Sequence, residues 1–388
     1  MSTVLPEPRP GDTTPPAPAE RRHVLALFAV GVLVAVATLG LMLILPHDRY
    51  IRWQSLNTEA YARLGWDYER IHYDRTPIDI AFLGTSHTMN GVDADAVQRS
   101  VAGAGIRTSE GRCYTATNFS IPSYGRNLHW EIARELFERR TVKLLVLEVF
   151  ENETRKAHPA FVHVADLKDV VRAPLIINLN YFNDLIRLPF RQLTLWAETL
   201  APRQFGLKAH FRADDYDGST VDNTRVVNAG GVALTPPRDR TMRLATLKAK
   251  AAAFGGGKNL HMLGSRFANL EYRYPLHYLN GILDEARHHG TRVVFLYLPA
   301  YGQPDRPYDM TPYAGKGDFI YVEDILHRPE LWYDEAHLNT QGAALLSQRL
   351  GVELKRELPG PTAKPADTAS CDFGVPARPI TVPWRSSR

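Results

Sequence analysis

Three polar side chains, far apart along the chain, have the types needed to activate an oxygen nucleophile together. Near the C-terminus runs Trp332-Tyr333-Asp334-Glu335-Ala336-His337-Leu338-Asn339-Thr340-Gln341-Gly342. Asp334 and His337 stand three apart at the start of a helical pattern, where a turn can set them on one side. A carboxylate so placed orients an imidazole and stabilises its charged form, and the imidazole can take a proton from a hydroxyl. A hydroxyl is offered at Gly84-Thr85-Ser86-His87-Thr88, directly after an apolar run. A Ser in a tight strand-to-helix turn holds its Oγ exposed at the sheet edge. Asn152, in Phe150-Glu151-Asn152-Glu153, has a side-chain amide that can donate to a developing oxyanion. Each piece alone is also ordinary turn chemistry.

These residues need elements to hold them. Short apolar runs rich in β-branched residues occur at 78–83, 114–119, 143–149 and 292–298. Each is bounded by turn residues and reads as a buried strand. Helical patterns lie between and after them, at 93–101, 127–139, 274–288 and 340–358, the last with Asn339 as N-cap. Strands alternating with helices predict a parallel sheet covered on both faces. In such sheets chemistry sits at the carboxyl ends of the strands. The turns at 84–88, 118–125 and 150–153 fall there.

The whole chain sets the frame. Its 388 residues carry 46 Lys+Arg against 42 Asp+Glu, and 44% are hydrophobic. That is ample for a packed core and too balanced in charge for a nucleic-acid surface. Two cysteines exclude a disulfide-stapled miniature fold and a Cys-rich zinc module. Residues 1–22 are rich in Pro and Thr and read as a disordered tail. Residues 23–46 read as a transmembrane anchor, because Val24 to Leu45 carries no charge and spans about 33 Å as a helix, enough for a core of about 30 Å. The run is longer than a signal-peptide core and no small-residue cleavage site follows. Arg21 and Arg22 precede it, which predicts a cytoplasmic N-terminus and a domain outside the bacterial inner membrane. In that oxidising compartment Cys113 and Cys371 could pair; two unpaired thiols is the alternative.

The sequence resembles the SGNH/GDSL hydrolase superfamily at four blocks. Gly84-Thr85-Ser86 stands where that family has Gly-Asp-Ser, and Asn152 stands in the Asn position of the third block. Asp334-x-x-His337, with the Leu-Asn-x-x-Gly that follows, matches the fourth. In the second block either Ser123 or Gly125 takes the place of the family's Gly. Thr85 and Glu153 depart from the usual Asp at their positions. The resemblance implies a three-layer α/β/α sandwich around a central parallel sheet. It implies Ser86 as nucleophile, His337 as base and Asp334 as its orienting group. The oxyanion hole would be formed by Ser86, Ser123 or Gly125, and Asn152. With a single anchor, the chain is similar to membrane-bound proteins that O-acetylate exported polysaccharides, so an acylated glycan is the expected substrate. A multi-span membrane acyltransferase is the partner implied.

Other segments have plainer readings. Residues 47–77 are expected to hold a juxtamembrane helix, 78–358 the α/β domain, and 359–388 a Pro-rich tail. An insertion at about 154–273 interrupts the strand–helix rhythm. Its Leu, Phe and Trp cluster at 185–196 is expected to form the insertion's own core, with acyl-chain or membrane contact as the alternative, and Asp214 to Pro237 a hairpin or open loop. Gly255-Gly256-Gly257-Lys258 lacks phosphate-loop spacing. His158, His163 and the His288-His289 pair lack a supporting ligand cluster, so no metal and no cofactor is expected.

Overall fold

The structure, a computed structural model, describes residues 18–58, 61–151, 153–175, 178–216, 240–254, 265–358 and residue 371. Five parallel strands form one sheet in the order β2-β1-β3-β4-β5. They are β1 (Ile80–Leu83), β2 (Ala116–Asn118), β3 (Leu144–Val149), β4 (Arg292–Tyr297) and β5 (Asp318–Tyr321). The first three are buried along their whole length, as continuous apolar runs require when both faces are covered.

Alternation along each strand sends side chains to two separate cores. Ala81, Leu83, Leu145, Leu147, Phe295 and Tyr297 enter one. That core is closed by the helices α2 (Arg49–Gln54), α3 (Arg63–His72), α6 (Arg126–Arg139) and α9 (Arg273–His288). Ile80, Phe82, Leu144, Val146, Val294 and Leu296 enter the other, under α5 (Ala94–Gly103) and α10 (Thr340–Glu353). The apolar positions of these helices recur at helical spacing, for example Leu128, Ile132 and Leu136 on α6.

The structure departs from the sequence expectations in several places. β5 was not expected: it is four residues at the sheet edge and only Ile320 is buried, so it lacks the apolar run that marks the others. A short helix α4 (Ser86–Gly91) that was not expected precedes α5, and Ser86 opens it. The juxtamembrane helix is two, α2 and α3, and both belong to the core through Tyr50, Trp53, Leu64 and Ile71. The first helix, α1 (Pro18–Leu43), begins inside the segment expected to be tail. From Arg21 to Leu43 it is long and apolar enough to cross a membrane; its apolar residues from Val24 to Val36 are exposed, while Leu43 at its end packs against the protein.

Within the insertion, α7 (Tyr181–Leu200) and α8 (Leu244–Phe254) are the longest helices. The cluster at 185–196 does not form one core. Leu188 and Leu195 are buried, whereas Ile186 and Phe190 are exposed at 69% and 57%. Most of the Asp214 to Pro237 segment, the glycine run at 255–257 with Lys258, and the Pro-rich tail apart from Cys371 lie outside the described residues. Cys113 and Cys371 are joined in a disulfide, with their Cα atoms 5.9 Å apart.

Candidate active site

All five strands run the same way, so their C-terminal ends share one edge. Ser86 stands there, three residues beyond β1, as the first residue of α4. Thr85 is the N-cap: its backbone is extended and its Oγ1 accepts from the His87 N–H. Glu148, the last residue but one of β3 and fully buried, fastens this turn. Its carboxylate accepts from the Thr85 N–H at 2.7 Å, Thr85 Oγ1 at 2.8 Å, Thr88 N–H at 3.2 Å and Thr88 Oγ1 at 2.5 Å. Gly84 is required by this packing, because a Cβ there would meet Glu148 Oε2 at 2.2 Å.

His337 is brought to Ser86 by a second device. Trp332 and Leu338, both buried, pair as an isolated antiparallel bridge and pinch the chain between them into a loop. The Tyr333 N–H donates to the His337 carbonyl across it at 2.9 Å. Asn339 then caps α10 by accepting from the Gly342 N–H at 2.9 Å. Gly342 must lack a side chain, since a Cβ would stand 2.4 Å from the Leu331 carbonyl. The motif's Leu-Asn-x-x-Gly is thus the fastening of the loop that carries the imidazole.

The three side chains form one hydrogen-bonded line. His337 Nε2 lies 2.9 Å from Ser86 Oγ, and His337 Nδ1 lies 2.9 and 3.0 Å from the two Asp334 oxygens. A carboxylate can only accept, so Nδ1 carries the proton and Nε2 is left with a lone pair toward the Ser86 hydroxyl. Asp334 also accepts from the N–H groups of Ala336 and His337. Burial pushes its carboxyl up, but the hydrogen bond and charge of His337 with these two N–H groups outweigh it and hold the value at about 2. Asp334 and His337 side chains keep 26% and 20% of their surface, so the line is open to a solute.

The second-block loop lies beside the Ser86 turn, with the Ile121 N–H donating to the Gly84 carbonyl at 3.0 Å. Ser123 holds φ +78°, the only non-glycine with positive φ among the described residues. Such strain in a β-carbon residue persists only where the surroundings impose it. Gly125 caps α6 at φ +156°, and a Cβ there would press into His158 at 2.4 Å. Among the described residues, the backbone N–H groups of Ser86, Ser123 and Gly125 donate to no acceptor. Asn152 lies outside the described residues; its neighbours are anchored. Glu151 Oε1 accepts from the Ala300 N–H at 2.8 Å. Glu153 pairs with fully buried Arg126 at 2.6 Å, and Arg126 also donates to the Glu148 carbonyl at 2.7 Å.

Sequence reasoning missed Glu148, Arg126, His87, Tyr124 and His158. Glu148 and Arg126 had a signal: a Glu inside an apolar strand and an Arg at the start of a buried helix each demand a partner. His87, directly after Ser86, donates from Nδ1 to the Leu298 carbonyl at 2.9 Å, and its Nε2 stands 3.5 Å from the Tyr124 hydroxyl. Among the described residues no cluster of His, Cys, Asp or Glu is arranged to hold a metal ion. Neither a protein-family model nor a curated protein matches this chain.

Proposed function

We propose that this chain is a membrane-anchored serine acyltransferase or esterase of the SGNH type, acting outside the inner membrane on O-acyl groups, acetyl foremost, of an envelope or exported polysaccharide. What carries this reading is the hydrogen-bonded line Ser86–His337–Asp334 at the carboxyl edge of the sheet. Helices on both sheet faces support the three-layer sandwich expected of that family.

In the proposed reaction, Ser86 Oγ attacks the acyl carbonyl carbon of a donor ester while its proton passes to His337 Nε2. Asp334 stabilises the imidazolium that forms. The free N–H groups of Ser86 and of Ser123 or Gly125, with the Asn152 amide, receive the developing oxyanion. As the ester C–O bond breaks, His337 returns the proton to the leaving oxygen. The acyl-serine is then attacked by a sugar hydroxyl or by water, His337 again taking the proton, and Ser86 is regenerated. A cavity of about 660 Å³ opens at Tyr301, with none of Ser86, Asp334 and His337 in its lining, and is where a long acceptor could extend from the site. It is lined by Tyr301, Tyr308, Gln303 and Lys248, a mixture of rings and hydrogen-bonding groups suited to sugars. Tyr301 is tied to the residue after Asp334 through its N–H to the Glu335 carbonyl at 2.8 Å. A multi-span membrane acyltransferase would be the donor's source.

Incubating the full chain in detergent with an aryl acetate, with and without an oligosaccharide, tests this reading. The expected result is aryl release that rises with the oligosaccharide, together with acetylated sugar. Release of acetate alone would make the chain an esterase, and no aryl release would overturn the reading for this substrate class.

A further inference from the structure

Helix α7 buries a mixed polar and apolar side against the protein and leaves an apolar side exposed. One side packs on the protein through Asp184, Leu188, Arg191, Gln192, Leu195 and Glu198, all buried. The other exposes Phe182 at 67%, Ile186 at 69% and Phe190 at 57%. At about 100° per residue these three fall within a sector of about 80°, opposite the buried side. The chain leading into the helix adds Leu175 and Leu179, exposed at 55% and 61%. A contiguous stripe of large apolar side chains facing away from the protein calls for a covering other than water.

The position of α7 says what covers it. Gln192 Nε2 donates to the carbonyl of Leu43, the last residue of α1, at 3.3 Å. Thr199 Oγ1 accepts from the Asp48 N–H at 3.0 Å. Both contacts rise together along the two segments, so α7 and the α1 exit run in the same direction. Leu43 itself packs into the small core of Phe161, Val162, Val170 and Leu188. Gln192 therefore marks the level at which α1 ends. Phe182 lies up to about 15 Å before it along the helix, on the side of the membrane span. That distance stays within one leaflet of a hydrocarbon core about 30 Å thick. Arg187 and Arg172, both exposed, can reach the phosphates of anionic headgroups by extending their stems.

We infer that the Phe182–Ile186–Phe190 face of α7 is immersed in the lipid leaflet that α1 leaves at Leu43, a second membrane contact that fixes the domain's tilt over the bilayer. This rests on α1 being a membrane span. It does not rest on the chemistry at Ser86.

The test uses the full chain in vesicles of phosphatidylethanolamine and phosphatidylglycerol. Because Cys113 and Cys371 are bonded to each other, a single added Cys carries a nitroxide label. Four variants are compared: Phe182→Cys and Ile186→Cys on the stripe, Leu33→Cys within α1, and Asp284→Cys on the exposed, charged surface of α9. Collision with oxygen, which enters lipid, is measured against collision with a nickel chelate, which stays in water. Labels at 182, 186 and 33 should favour oxygen, and the label at 284 should favour nickel. A nickel-accessible 186 beside a lipid-immersed 33 would overturn the inference and leave the anchor standing. A label at 186 shielded from both probes would mean a second copy of the chain covers the stripe, which also overturns it. A nickel-accessible 33 would remove the span and the inference together.

Discussion

At the scale of single residues, positioning is shared out unevenly. His337 and Asp334 are three apart and reach each other through one pinched loop, so their pairing was legible from spacing. Glu148 was not: only the folded sheet places it under the Ser86 turn, where it holds four donors at once. Glu148→Gln replaces one acceptor oxygen by a donor that faces donors, so the turn must shift. Since a displacement of about 1 Å can cost about a hundredfold in rate, we expect that loss in kcat for aryl ester turnover, with KM nearly unchanged. A kcat within a few-fold of the parent chain would show that Glu148 only packs. Thr85 caps the helix that Ser86 opens, its Oγ1 accepting from the His87 N–H.

At the scale of elements, the loop from Asn118 to Gly125 is held by His158. Its Nε2–H donates to the Pro122 carbonyl at 2.8 Å, and its Nδ1 accepts from the Ala160 N–H at 3.0 Å. The ring is therefore neutral in the fold. Burial pushes its value down from 6.5 to about 4, against the pull of the Pro122 carbonyl. The unfolded chain binds this proton more readily, so the ring's contribution to stability is full above pH 6.5 and lost as pH falls toward 4. Thermal midpoints measured across that window should fall with pH, and His158→Gln should flatten part of the fall. An unchanged slope in His158→Gln would remove His158 from the account. β1, β3 and β4 were legible because central parallel strands are continuous apolar runs, and β2, at one edge, because the residues in and around it, from Tyr114 to Phe119, include buried apolar side chains. β5 was hidden because an edge strand of four residues needs only Ile320 buried. The exposed stripe of α7 was hidden for the opposite reason: a run of large apolar residues looks the same whether it meets protein or lipid.

At the scale of the whole molecule, two distant ends are tied in. Cys113, at the end of the turn before β2, is bonded to Cys371 across a sequence separation of 258. Closing so long a loop restricts the unfolded chain, typically stabilising by about 2–4 kcal/mol. The unreduced, denatured chain should titrate no free thiol, and Cys113→Ser with Cys371→Ser should lower the thermal midpoint. Two free thiols in the unreduced chain would contradict the bond. The disulfide agrees with a domain outside the cytoplasm, as the charge around α1 predicts. Pairing partners are set by the fold, so the sequence offered two cysteines without deciding between a bond and free thiols.

The central claim is that Ser86 carries the acyl group. The most direct measurement is mass spectrometry of the full chain quenched during turnover of an aryl acetate, beside Ser86→Ala. The account predicts one added acetyl group, located on the peptide containing Ser86, and absence of both adduct and aryl release above background in Ser86→Ala. Equal aryl release by the two chains, with no acetyl on Ser86, would contradict it.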